Sequence, residues 1–207
     1  MKLVEPKLSY IEKSSFEECI KEMHFQDVHL DQNTYLQLTL QDLTFDGCLF
    51  ENIDFTQIQL QNIDLIDVVF DKCDLSNTNF DHQYLNRVQF KNCKLTGISF
   101  VEAKLKDVLF ENCQGRYSNF ASSQLQNVIF KNNDLQETSF YDVSFKKIEF
   151  INTNLIQSEL VSLHHKGLDL STCQIQGATF DLMSLKGLVI SDYQAVDLIG
   201  ILGVKVK

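Results

Sequence analysis

The stretch that decides the fold is FDKCDLSNTNFDHQYLNRVQFKNCKLTGISF, residues 70–100. Every fifth residue in it is Phe or Leu: Phe70, Leu75, Phe80, Leu85, Phe90, Leu95 and Phe100. A helix turns about 100° per residue, so a step of five lands roughly 140° past a full turn and smears the apolar residues around the axis. A strand alternates faces at each residue, so an odd step sends successive members to opposite sides. These residues converge on one core only if each unit of five also turns the chain. That describes a solenoid.

The register runs far beyond this stretch. Of sixteen phenylalanines, only Phe16 falls off a multiple of five. Between Ile20 and Ile190 every such position is Phe, Leu or Ile except Tyr35, Gly115 and His165, and no insertion breaks the count. A second period of twenty sets the size of a coil. Phe50, Phe70, Phe90, Phe110, Phe130 and Phe150 form one core ladder, Leu75, Leu95, Leu135 and Leu155 another, and Phe80, Phe100, Phe120 and Phe140 a third. Four units therefore close one coil of an all-β solenoid, and at about 4.8 Å per coil the roughly eight and a half coils make a rod of about 40 Å. Such an array is held by nearest-neighbour stacking and needs its ends covered.

The residue two before each centre is the second inward position and is small or aliphatic, as at Ile53, Ile63, Val68, Cys73, Val88, Cys93, Ala103 and Val108. Five of six cysteines occupy this slot, and Cys73, Cys93 and Cys113 stack directly. Their spacing raises a disulfide or a metal; the favoured reading is a ladder of buried thiols acting as small apolar side chains. A straight column lacks the tetrahedral arrangement that zinc requires. No metal or other cofactor is expected.

The chain divides into an N-terminal cap segment (1–19), the solenoid (20–190) and a C-terminal element (191–207). Ser14 with Glu17, or Ser15 with Glu18, can cap a short helix in which Phe16, Cys19, Ile20 and Met23 have helical spacing. Ser191 with Gln194 forms another capping box, opening a helix with Ala195, Leu198, Ile199 and Leu202 on one face, stopped at Gly203. Val204–Lys207 alternates like a short strand. Tyr193, Ala195, Leu198, Ile199, Leu202, Val204 and Val206 are the expected dimerisation residues of a two-fold homodimer.

The run DLSNTNF (74–80), with Leu or Phe inward at every fifth residue, resembles the pentapeptide-repeat family over most of the chain. The tail GLVISDYQAVDLIGILGVKVK (187–207) is similar to the helix-plus-strand by which Qnr-like quinolone-resistance proteins dimerise. The resemblance implies a right-handed quadrilateral β-helix with a short C-terminal helix. It also implies a homodimer and a non-catalytic partner of type II topoisomerases, DNA gyrase or topoisomerase IV. Such relatives protect these enzymes from quinolones, and the MfpA type is regarded as a DNA mimic. The larger Qnr proteins carry projecting loops. The unbroken register here leaves no place for one, so this chain is similar to the loopless members.

Composition agrees with a single cytoplasmic domain. At 44% hydrophobic residues there is a sizeable core, and one proline with eight glycines argues against linkers. The N-terminus carries no long apolar run of the kind a secretory leader has, and no stretch reaches a membrane span. A net charge of −10 disfavours direct contact with nucleic acid or anionic membranes and favours a basic partner. The acid is unevenly placed. Residues 16–85 hold fourteen Asp or Glu against Lys21 and Lys72, a local charge of −12, whereas residues 86–207 are near neutral.

One outward column reads Asp31, Glu51, Asp71, Lys91, Glu111, Lys131, and another, largely basic, reads Lys106, Gln126, Lys146, Lys166, Lys186. The candidate partner-binding residues are Asp31, Glu51, Asp71, Glu111, Asp27 and Asp67, with an apolar outward column of Leu49, Val69, Leu109 and Ile129. Val101, Tyr141 and Val161 add to it on the adjoining side. Such a stripe suits an adaptor solenoid that binds another protein, or simply decorates a strand face. Asp54, Asp64 and Asp74 precede core residues and support turns. His164 and His165 invite a catalytic reading, but a hydrogen-bonded core histidine is the simpler account. No phosphate loop, nucleophile elbow or metalloprotease motif is present, and a solenoid filled to its axis offers no deep pocket, so an enzyme is not expected.

Overall fold

The computed structural model describes residues 2–8, 11–33 and 37–204, so Tyr35 and the expected strand residue Val206 lie outside the described residues. The chain is a parallel β-solenoid of about eight turns with a helix at each end. The order is β1 (Glu12–Lys13), α1 (Phe16–Glu22), β2 (Phe25–Gln26), β3 (Val28–Asn33), β4 (Leu38–Asp46), β5 (Leu49–Ile53), β6 (Ile58–Asp71), β7 (Tyr84–Lys91), β8 (Lys104–Glu111), β9 (Gln124–Lys131), β10 (Ser144–Ile151), β11 (Glu159–Leu160), β12 (Thr179–Phe180) and α2 (Asp192–Ile199). Each strand pairs in parallel with the one a coil away, so Phe50, Phe70, Phe90, Phe110, Phe130 and Phe150 align as Cα partners.

Those phenylalanines are fully or almost fully buried, and their rings stack nearly parallel, for example Phe90 on Phe110 at 4.9 Å and 3°. The Phe80–Phe140 ladder stands edge-on to it, with Phe110 and Phe120 5.8 Å apart at 88°. Two perpendicular ring columns thus share the core, and contacts of this kind add roughly 0.5–1.5 kcal/mol each beyond area burial.

The turning has a local cause. Two residues after most core centres the backbone is left-handed, as at Asp67 (φ 56°), Asn92 (φ 54°), Asn112 (φ 56°) and Asn132 (φ 56°). Asn, Asp and Gly tolerate this conformation, whereas β-branched residues do not. The corner asparagines also bridge coils: Asn112 Nδ2 donates to Asn92 Oδ1 at 3.3 Å and Asn132 Nδ2 to Asn112 Oδ1 at 3.2 Å. Asp54 and Asp74 hold turns as expected, accepting from the N–H of Thr56 (2.8 Å) and Ser76 (3.1 Å). Asp64 does not, because β6 runs straight through that position and leaves it exposed.

Cys73, Cys93 and Cys113 are free and buried, with each thiol donating to a carbonyl of the preceding coil, at Phe50, Phe70 and Phe90. Burial pushes the thiol of Cys48, which lies outside this ladder, up to about 12. Gly115 leaves no void: a Cβ there would meet Leu135 Cδ2 at 2.8 Å, so the leucine of the next coil has moved into the slot. His165 accepts from the Leu168 N–H at Nδ1 (3.1 Å) and donates from Nε2 to the Ser184 carbonyl (2.8 Å), which fixes a neutral tautomer.

Both ends differ from the sequence reading in detail. Ile20 belongs to α1 and not to a coil, because Ser15 and Glu18 form the capping box that starts a helix there. The first in-register strand residue is Phe25, paired with Phe45. At the other end α2 opens at Ser191, whose N–H donates to Gln194 Oε1 at 2.7 Å, and the chain leaves the helix at left-handed Gly203 after a 3-10 turn. Of the residues expected together on one face of α2, Leu198 is buried beside Gln194, whereas Ala195 and Ile199 are exposed.

Candidate functional site

The ten candidate partner-binding residues all lie on one face of the rod. On β6 the outward side chains are Asp67, Val69 and Asp71; on β8 the equivalents are Asp107, Leu109 and Glu111; Leu49 and Glu51 sit on β5 and Ile129 on β9. Asp27 lies just before β3 and Asp31 within it. Parallel register places Asp31, Glu51, Asp71, Lys91, Glu111 and Lys131 in a single column.

The column is partly neutralised within the chain. Lys13 Nζ lies 2.6 Å from Asp31, Lys131 Nζ 2.7 Å from Glu111, and Lys72 Nζ sits between Glu51 (3.6 Å) and Asp71 (3.8 Å). The Lys13 hydrogen bond holds the Asp31 carboxyl below its ordinary range. Asp67 takes a bidentate contact from Arg87, at 2.5 and 2.6 Å. Burial works against its ionisation, yet Arg87 and the Lys7 N–H together keep its carboxyl low. Asp46 is shifted the other way, raised by burial and by its neighbours Asp67 and Asp27.

A segment that no sequence signal marked crosses this face. Residues 2–8 run along the outside of the sheet, against the direction in which the coils ascend. The Val4 N–H donates to Asp107 Oδ1 (3.3 Å), Gln89 Nε2 donates to Glu5 Oε2, and the Lys7 N–H donates to Asp67 Oδ1 (3.0 Å). Beneath it, residues at outward positions are buried: Asp67 5%, Val69 8%, Gln89 4% and Asp107 4% exposed. The expected exposed apolar stripe is therefore corrected. Val69 is buried where the chain's own N-terminal strap crosses the middle of the column, and Leu49, Leu109 and Ile129 are half-buried.

The basic column lies in the C-terminal half. Lys146, Lys147, Lys166 and Lys186 ring a cleft of about 960 Å³ floored by Phe145 and Leu163. Among the described residues no group of three or more His, Cys, Asp or Glu could hold a metal ion, and no helix is long and apolar enough to cross a membrane. On α2 and just after it, Tyr193 (91% exposed), Val196, Ile199, Ile201 and Val204 leave apolar surface uncovered.

The family model for a pentapeptide repeat region matches residues 63–140. No curated protein matches the sequence. Among solved structures, a trypsin-treated variant of QnrB1, a plasmid-mediated fluoroquinolone resistance protein, is 18% identical with a TM-score of 0.46, covering 88% of this chain and 91% of that one. HetL, a pentapeptide repeat protein involved in heterocyst differentiation regulation from the cyanobacterium Nostoc sp. strain PCC 7120, is 13% identical with a TM-score of 0.43, covering 86% and 94%. A pentapeptide repeat protein of the Arabidopsis thaliana thylakoid lumen is 22% identical with a TM-score of 0.37, covering 47% and 65%.

Proposed function

From the premise that this chain is built on a pentapeptide repeat region, we propose that it is a non-catalytic binding rod acting on a basic protein surface. The target class is the DNA-binding surface of type II topoisomerases, DNA gyrase or topoisomerase IV, and the outcome is protection of these enzymes from quinolones. One observation carries this reading: within the acidic half, the parallel register lines up Asp31, Glu51 and Asp71 one coil apart in a single column, with Asp27 and Asp67 on the same face. A straight row of carboxylates at about 4.8 Å spacing presents a line of negative charge to a surface built for phosphates. The chain acts in the cytoplasm, and the uncovered apolar residues beside α2 join two copies end to end. That arrangement puts the acidic halves on the two distal arms.

The test is gyrase supercoiling with and without ciprofloxacin. The purified protein should change supercoiling or rescue it from the drug at micromolar concentration, and Asp31→Lys, Glu51→Lys and Asp71→Lys together should abolish the effect. No effect of the unaltered protein sinks the reading. If Leu49→Ser, Leu109→Ser and Ile129→Ser cost more activity than the charge reversals, the face works instead as an apolar adaptor surface with no charge mimicry.

A further inference from the structure

The strap is held in an unusual way. Its own main-chain N–H groups at Val4 and Lys7 donate to carboxylates of the solenoid, Asp107 and Asp67. Among its side chains Leu3 is buried, Pro6 and Leu8 are half-buried, and Val4, Glu5 and Lys7 are exposed, with Glu5 accepting from Gln89. The recognition is therefore largely of an extended backbone, with one aliphatic anchor.

The spacing explains why an extended backbone fits. Asp67 and Asp107 lie two coils apart, which at about 4.8 Å per coil is roughly 9.6 Å. Val4 and Lys7 are three residues apart, which in a polyproline-II-like extended chain, three residues to the turn at about 3.1 Å each, is roughly 9 Å with both N–H groups on one side. The repeat of the solenoid thus matches a three-residue step of peptide. Arg87, on the intervening coil, pins the Asp67 carboxylate in place, and the Asn127 side chain does the same for Asp107, donating to its Oδ1 at 3.1 Å. Gln89 reaches the strap between them. Asp67 and Asp107 stand ready whichever sequence the extended segment carries, because the N–H groups they bind are common to every non-proline residue, and only the Gln89 contact reads a side chain.

We infer that the face from β6 to β8 is a receptor for an extended peptide, and that residues 2–8 are a built-in occupant which a segment of another protein displaces. The fitting segment carries one aliphatic residue for the Leu3 position, followed by two free N–H groups three residues apart. The strap shares its face with the surface proposed above and so limits access to it. Peptide binding can nevertheless be measured with no topoisomerase present, so the two readings fail separately.

The probe is a fluorescein-labelled peptide of residues 2–8, followed by anisotropy against two full-length proteins. One is unaltered; the other carries Leu3→Ser and Val4→Pro, which remove the anchor and one donor from the tethered strap. A tethered competitor acts at an effective concentration near the millimolar range, so the released protein should bind the peptide at least ~10-fold more tightly than the unaltered one. A labelled peptide with proline at the Val4 position should lose most of that binding, as should the released protein carrying Asp107→Ala. Equal binding by the two proteins, or equal binding of the proline peptide, overturns the inference. Should the released protein fail to fold, hydrogen exchange on the unaltered chain decides. Millimolar peptide should strip protection from the Val4 and Lys7 amides, and unchanged protection overturns it.

Discussion

At the amino-terminal end of the rod a phenylalanine closes the open coil; at the carboxy-terminal end a glutamine does. Phe16, on α1, sets its ring 5.7 Å from Phe25 and 6.4 Å from Phe55, extending the aromatic core by one layer. Gln194, on α2, instead sends Nε2 to the carbonyls of Leu170 (2.8 Å) and Cys173 (2.7 Å), with Leu198 as its apolar companion. A stack of coils ends in two kinds of unmet need, apolar surface and unpaired backbone groups. The first end is closed mainly by meeting one need and the second mainly by meeting the other. The difference leaves the carboxy-terminal end with apolar residues outside, and it gives the two caps different energetics.

The largest effect should come from Phe16→Ala. Deleting a buried ring costs about 3–5 kcal/mol, which a guanidinium unfolding midpoint will register. A loss below about 1 kcal/mol would mean that the ring decorates the first coil and does not seal it. Gln194→Ala should cost less, about 1–3 kcal/mol, because it strands two carbonyls without opening a large cavity. The same unfolding measurement compares the two, and a ranking with Gln194 above Phe16 would reverse the contrast.

The smallest effect is one of pH. The Asp67 carboxyl, which holds the strap on the amino-terminal side, is ionised to lower pH in the folded chain than its ordinary value of about 3.9. A depressed folded value stabilises the fold above that point, and the contribution fades as pH falls through the folded value. Below about pH 4 the Lys7 amide should therefore lose protection, while the uncharged Gln194 contacts persist. Amide and side-chain NMR resonances will show which moves first, and simultaneous release would erase the distinction.

Much of the coil was legible before the structure because its layers are near-copies. A ladder such as Phe50 to Phe150 repeats the same local problem, so one period of five and one of twenty describe it. The corners were less legible: Asn, Asp or Gly stands two residues after many centres, but Lys72, His82, Arg87, Glu102, Tyr117 and Ser122 take the same left-handed backbone and carry no turn signal of their own. The caps were half legible. Ser15–Glu18 and Ser191–Gln194 are local signals, but a capping box reports only one end of a glutamine, and the docking of Gln194 Nε2 depends on residues more than twenty positions away. Ile20 was misplaced because a helix and the repeat both accept an isoleucine there. The strap was not legible at all. Its hydrogen-bond partners stand 60, 84 and 103 residues along the chain, and seven residues with neither register nor cap carry no local trace of them.

The ring columns have one more consequence. A pile of interchangeable layers contains no instruction about how tall to grow, since each new layer finds the same seat as the last. Height is specified only where the pattern is broken, and here that falls to α1 and α2. They serve as stoppers as much as covers: without them, each open edge of parallel strands would be a template for the edge of another molecule, and a rod of fixed height would become the subunit of a fibre.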